Sequence, residues 1–168
     1  MPDDVVVRCG LAAGLPLERP LLRRIGRELR RSEALALAGR ALTHSELSER
    51  RLEERLRRRR VSPAVASAAV AAFAEAGFVD DRRLARRRAR ALAERGWGDA
   101  VIEARLLHAG VSESEARAAL AELEPEPERA AALAATAGGR RKVWTLLARR
   151  GFAEETIAAL VGTLDGEA

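Results

Sequence analysis

RLRRRRVSPAVASAAVAAFAEAGFVDDRRLARRRARALAERGW, residues 55–97, decides the fold. Two arginine-dense segments flank an apolar run, and Gly77-Phe78-Val79-Asp80-Asp81 joins that run to the second of them. Ser62-Pro63 has the form of an N-cap followed by proline at the first helical position, where a missing N–H leaves no bond unmade. A helix is predicted from there to about Ala76. Gly77 ends it, because glycine readily adopts the left-handed conformation that closes helices. Asp80 and Asp81 stand where the next helix begins, placed to accept from its free N–H groups and to face the positive end of its dipole. In that helix, which stops at Gly96, Leu84, Ala85, Ala89 and Leu92 supply the buried side. Arg82, Arg86 and Arg90 repeat every four residues on the outside, with Arg83 and Arg87 beside them.

The same punctuation extends in both directions. Trp97-Gly98 turns the chain into a helix from Asp99 to about Ala109, Gly110 ends it, and Ser112-Glu113-Ser114-Glu115 is a capping box opening a helix that runs to Leu123. Pro125 and Pro127 are expected to mark a linker, and Gly138-Gly139 and Gly151 to divide the remainder into three short helices. Toward the N-terminus, one helix is expected over Ser32–Leu42. Thr43-His44-Ser45-Glu46 has the capping-box form for a second, reaching the run Arg57, Arg58, Arg59 and Arg60. Residues 1–31 are least regular: Val5-Val6-Val7 suggests a short strand, the glycines and prolines from Gly10 to Pro20 a loop, and Leu21–Arg31 a basic helix. Leucine, alanine, arginine and glutamate dominate the chain, so the fold class is all-α.

These helices are periodic. Aligning Val61, Val111 and Phe152 sets Ala69, Val70 and Phe73 beside Ala119, Leu120 and Leu123, and beside Leu160, Val161 and Leu164. Leu56, Leu106 and Leu147 each lie five residues before the anchor. Spacings of 50 and 41 residues describe a three-helix unit used three times, over residues 32–78, 79–124 and 125–168 after an N-terminal segment 1–31. Arrays of such helix-turn-helix-like units tend to be elongated and curved.

At 168 residues the chain is long enough for a core of its own, since compact folds of this size bury roughly 70% of the unfolded surface. The single Cys9 allows neither an internal disulfide nor a cysteine metal cluster, and fits a reducing setting. No apolar run approaches the roughly 20 residues that span a bilayer, and Met1-Pro2-Asp3-Asp4 lacks the basic start of a signal peptide, so a cytoplasmic protein without membrane contact is expected. The formal charge is +5, and Lys142 is the only lysine. From Arg50 to Arg95 there are 14 arginines against 6 acids, whereas Glu103 to Glu128 holds 7 acids against 2 arginines. Such polarity suits steering toward an acidic partner, nucleic acid or protein.

Chemistry is sparse. His44 lies beside a helix cap and His108 near a helix end, and no HExxH, phosphate-cradling glycine loop or nucleophile with a neighbouring base occurs. The Asp80-Asp81 pair reads as a cap rather than a magnesium site. Neither catalysis nor a cofactor is expected.

Thr43-His44-Ser45-Glu46-Leu47, then Val61-Ser62-Pro63, then Gly77-Phe78-Val79-Asp80-Asp81-Arg82-Arg83-Leu84-Ala85, then Gly98, Ile102, Leu106, Gly110 and Val111 resemble, in order, the RecX regulatory proteins. The resemblance covers Ser32 to Leu123 and, more loosely, the third unit. It implies a non-catalytic modulator of the RecA recombinase, built of three tandem three-helix units, that engages the RecA filament on single-stranded DNA and restrains strand exchange and ATP hydrolysis. The chain departs from the family in having Arg60 in place of a glycine, Ala109 in place of a lysine and Leu84 in place of an aromatic. It also has about five extra residues around Arg51–Arg55.

The residues expected to meet the partner are Arg82, Arg83, Arg86, Arg87 and Arg90, with Arg57 to Arg60 second, and Gly77 to Asp81 as the structural motif that aims them. Arginine forks suit phosphates and carboxylates alike, so the stripe itself leaves DNA and an acidic protein groove open. The alternative reading is a helix-turn-helix protein acting directly on duplex DNA; a winged helix would need an alternating hairpin after Val79, where an arginine helix stands instead. Single-strand stacking has few aromatics to draw on, and Phe73, Phe78, Trp97 and Trp144 are expected in the core. No sustained heptad seam occurs, and a monomer is expected.

Overall fold

The computed structural model describes residues 2–163, and over that range the chain is helical, with ten helices and no strand. It divides into two compact units, Met1–Asp80 and Asp81–Ala168. No helix among the described residues is long and apolar enough to cross a membrane.

Unit 1 contains α1 (Asp3–Cys9), α2 (Arg19–Leu42), α3 (Glu49–Arg58) and α4 (Pro63–Glu75). Its core is formed by Ala34, Ala38 and Ala41 from α2, Leu52 and Leu56 from α3, and Ala66, Ala69 and Val70 from α4, closed by Val79. Alanines at i, i+4 and i+7 leave a shallow groove on α2, and the leucines of α3 fill it.

The N-terminal expectations need correction. Val5-Val6-Val7 is not a strand but lies in α1, where Val5 and Cys9 at i, i+4 are buried; three β-branched residues are too few to outweigh a buried helical face. Ser32 starts no helix either. The basic helix and the one after it are a single 24-residue α2, and the Ser32 hydroxyl donates to the Asp4 carboxylate at 3.2 Å, pinning α1 to α2.

Thr43 is likewise not an N-cap. It ends α2, with its hydroxyl donating to the Arg40 carbonyl at 2.9 Å, and the chain reverses over the next residues. The N-cap of α3 is Ser48, fully buried, whose hydroxyl accepts from the Arg51 N–H at 3.2 Å. That later start makes α3 ten residues long, the same as α6 below. Ser62 and Pro63 open α4 as expected, Gly77 follows it at φ 74°, and Phe78 and Val79 both donate to the Phe73 carbonyl.

Unit 2 contains α5 (Asp81–Glu94), α6 (Asp99–His108), α7 (Glu113–Ala121), α8 (Glu126–Ala134), α9 (Arg140–Arg150) and α10 (Glu154–Thr163). One core takes Leu84, Ala85 and Ala89 of α5, Ile102 and Leu106 of α6, Val111, and Ala116 and Ala119 of α7. The other takes Ala130 of α8, Val143 and Leu147 of α9, Phe152, and Ile157 and Val161 of α10. The Ser112–Glu115 capping box is present in both directions. Pro125 and Pro127 mark no linker: Pro125 is the N-cap of α8 and Pro127 lies in its first turn, where proline is tolerated. Leu164, aligned above with Phe73 and Leu123, lies outside the described residues.

The five-residue spacing from leucine to anchor has a geometric cause. Val61, Val111 and Phe152 donate their N–H groups to the carbonyls of Leu56, Leu106 and Leu147 at 3.2, 3.1 and 3.2 Å. The residue before each anchor donates in turn to the carbonyl three back, the two bonds of a Schellman motif. This motif requires a left-handed residue, and Arg60, Gly110 and Gly151 take it at φ 63°, 87° and 76°. Arg60 is the only non-glycine with positive φ among the described residues.

The two cores of unit 2 meet where glycine is obligatory. The Gly98 N–H donates to the Arg150 carbonyl at 2.8 Å, and a Cβ on Gly98 would overlap the Gly151 carbonyl and the Phe152 nitrogen, all backbone atoms that cannot rotate away. Trp97 is clasped between Arg105 and Arg150, whose guanidinium carbons lie 4.5 and 4.9 Å from its ring centre. Arg129, largely buried, donates to the Trp97 carbonyl and the Asp99 carboxylate. Glu126 accepts from the Asp99 N–H at 2.7 Å and the Ala153 N–H at 3.1 Å, so α8 binds both halves of the unit.

Two substitutions test this account in thermal melts followed by circular dichroism. Arg60→Gly should raise stability by about 0.5–1 kcal/mol, because it relieves a left-handed side chain. Gly98→Ala should lower it by about 2–3 kcal/mol through overpacking against backbone.

Candidate functional site

The arginine helix is positioned by its apolar side. Leu84, Ala85 and Ala89 are buried, and Leu92 packs against the same core, which turns the opposite face of α5 outward. Asp80 and Asp81 stand at its start, Asp81 being the acid of the first turn. Arg82, Arg83, Arg87 and Arg90 are exposed.

Arg86 is different. It is drawn onto Glu122 at the end of α7, with Nε 2.8 Å from the carboxylate, and is half-buried there. The four-residue repeat is therefore not a uniform stripe: its middle member is tied down, and Arg83 and Arg87 are engaged within the chain as well.

Arg57 to Arg60 belong to unit 1 and the α5 set to unit 2. All of Arg57, Arg58, Arg59 and Arg60 are exposed, at and just beyond the end of α3, where cations meet the negative end of the helix dipole. Arg57 pairs with Glu53 at 2.7 Å. One turn earlier, Arg50 and Arg51 converge on Glu54 at 3.2 and 3.0 Å. Their hydrogen bonds, Arg50 first and Arg51 second, hold the Glu54 carboxyl below the usual glutamate range.

Phe78 departs from its expected place in the core. Gly77 turns the backbone so that Val79 points inward and Phe78 outward, 68% exposed, its ring tilted against that of Phe73 at 5.8 Å between centres. Trp144 is 40% exposed on α9, while Trp97 and Phe73 are partly buried against their cores as expected. Solvent-facing aromatics are the kind of side chain that anchors protein interfaces, and nothing in the local pattern around Phe78 separates it from a core residue.

Sequence reasoning also passed over Arg40 and Arg55, and placed His44 only beside a helix cap. They lie on two different helices and their connection, yet with Arg59 they line one cleft of unit 1. No sequence period links them.

No family model and no curated protein sequence matches the chain. Two solved structures do match it in fold. RecX from Lactobacillus salivarius superposes with a TM-score of 0.73 at 19% identity, covering 81% of this chain and 97% of that one. A structure of a regulatory protein RecX superposes with a TM-score of 0.79 at 18% identity, covering 96% of this chain and 87% of that one. The chain thus has the RecX fold, as the resemblance of its sequence implies.

The Glu54 cluster is open to titration by carboxyl-detected NMR. Its carboxyl should titrate below an ordinary glutamate, and Arg50→Ala should bring the midpoint back up. Because the folded value is depressed, the associated stabilisation is present above the unfolded glutamate pKa and is lost as pH falls through the folded one.

Proposed function

We propose that this chain, folded as RecX proteins are, is a RecX-type regulator that binds the RecA filament on single-stranded DNA and restrains its ATP hydrolysis and strand exchange. It acts by occupancy and carries out no catalysis of its own. The observation that carries this reading is the RecX fold spanning nearly the whole chain, with an arginine-dense helix turned outward upon it. Arg82, Arg83, Arg87 and Arg90, with Arg86 beside them and Arg57 to Arg60 in unit 1, are the residues assigned to the partner. Arginine forks match both the phosphates of the DNA and the carboxylates of a protein filament.

In this reading residues 32–78, 79–124 and 125–168 are three copies of one three-helix unit, preceded by a variable segment 1–31. The protein works as a monomer in the cytoplasm. Phe78, exposed in unit 1, supplies an apolar anchor.

The test is a titration of the chain into RecA-catalysed ATP hydrolysis and strand exchange. Both should fall as the filament is covered, and Arg82→Glu with Arg90→Glu should relieve the effect by tenfold or more with helicity unchanged. Absence of any effect at filament-covering ratios overturns the proposal. Tight, sequence-selective binding to duplex DNA without RecA would instead support the helix-turn-helix alternative.

A further inference from the structure

Ion pairs with nearby acids hold several arginines of this chain in place. Arg8 pairs with Asp4 and Glu28, Arg50 and Arg51 with Glu54, Arg57 with Glu53, Arg86 with Glu122 and Arg117 with Glu113. One group in unit 1 instead converges on a cleft without an acid. Arg40 at the end of α2, and Arg55 and Arg59 at the end of α3, line a single cleft of about 270 Å³. No carboxylate lines that cleft, and among the described residues none of the three arginines makes an ion pair.

Packing creates the cluster. Leu37 and Ala41 of α2 and Leu56 of α3 form its floor, and the core that buries Ala41 and Leu56 brings the two helix ends together. Arg55 and Arg59, four apart, fall on one side of α3. His44 completes the rim, its Nδ1 3.1 Å from the Arg40 carbonyl. The negative ends of two helix dipoles stabilise cations here but are far too weak to neutralise three of them, at roughly half a charge per helix. The site has a surplus of positive charge and a set of guanidinium forks without an internal acceptor.

We propose that this cleft binds phosphate, and that its ligand is the backbone of a nucleic-acid strand. A strand of duplex DNA presents a charge about every 3.4 Å along its axis, so a run of phosphates can meet several guanidinium groups together, whereas a protein carboxylate brings one isolated charge. The apolar floor suits the sugar between phosphates, and the exposed Arg58 and Arg60 flank Arg59 in the chain. Arg59 also belongs to the set assigned above to the filament, and the proposal deepens that reading; its measurement involves no RecA, so the two can fail separately.

The experiment is fluorescence anisotropy of a labelled oligothymidylate with the full chain across a salt series. Replacing Arg40, Arg55 and Arg59 together by Gln should reduce the slope of log affinity against log salt by about 2, at about 0.7 per single-strand contact. Replacing Arg8, Arg50 and Arg117 by Gln removes the same formal charge from ion-paired arginines and should leave the slope nearly unchanged. An equal loss of slope in both triple variants, or none in the first, overturns the site. If the first variant loses helicity, the corresponding Lys triple decides: a retained slope with weaker binding supports the forks, and unchanged binding overturns them. Sodium pyrophosphate serves as competitor. Displacement of the oligonucleotide from the wild-type chain supports a phosphate site, whereas pyrophosphate binding with no oligonucleotide binding assigns it to free phosphate and overturns the strand. A polyglutamate peptide that binds as tightly and loses affinity in the same variant would assign the cleft to acidic protein.

Discussion

The fold rests on one hydrogen bond made three times, from an anchor N–H to the carbonyl of a leucine five residues earlier. The bond closes the helix on which the leucine sits, and it forms only when the residue before the anchor is left-handed. Because the chain reverses there, the leucine and the anchor end on the same side. Leu56, Leu106 and Leu147 are accordingly among the most completely buried side chains. Each contributes about 1.5–3 kcal/mol of apolar burial, which is what makes the reversal stable in spite of its backbone conformation. Glycine fills the left-handed position in two of the three turns, and arginine holds it in the first.

Charge is organised by the same packing. The acid-rich segment between Glu103 and Glu128 does not simply balance the basic segment before it; it is partly consumed inside unit 2. Glu122 takes Arg86, and Glu126 caps backbone N–H groups from two helices. What stays exposed is the remainder: the outward arginines of α5 in unit 2, and in unit 1 the end of α3 with the cleft beside it. The bias of the composition is thus a poor guide to the working surface, because pairing removes members of a run one at a time according to which acid a neighbouring helix brings close.

Where local signals compete, packing chooses between them. Thr43 and Ser48 both have a side chain able to cap a helix, and Ser48 wins because the residues before it must carry the chain back along α2 for Leu52 and Leu56 to reach Ala34, Ala38 and Ala41. Ser32 loses its cap role because the helix on either side of it shares one buried face, leaving its hydroxyl to Asp4. Pro125 and Pro127 fail as a linker because proline in a first turn opposes nothing, and α8 has a core to join.

By itself the sequence determined the all-helical class, most helix boundaries after Ser62, the leucine-to-anchor spacing and the buried side of α5. These follow from forces acting over a few residues: helix period, capping, and the conformational freedom of glycine. Tertiary structure decided the rest. Arg60 in a glycine's conformation, Phe78 outside the core, Arg86 held by Glu122, and Arg40 brought beside Arg55 and Arg59 all depend on contacts between helices. A pattern along one helix carries no record of what the next helix brings to it, so the residues that compose a surface become visible only once the helices are packed.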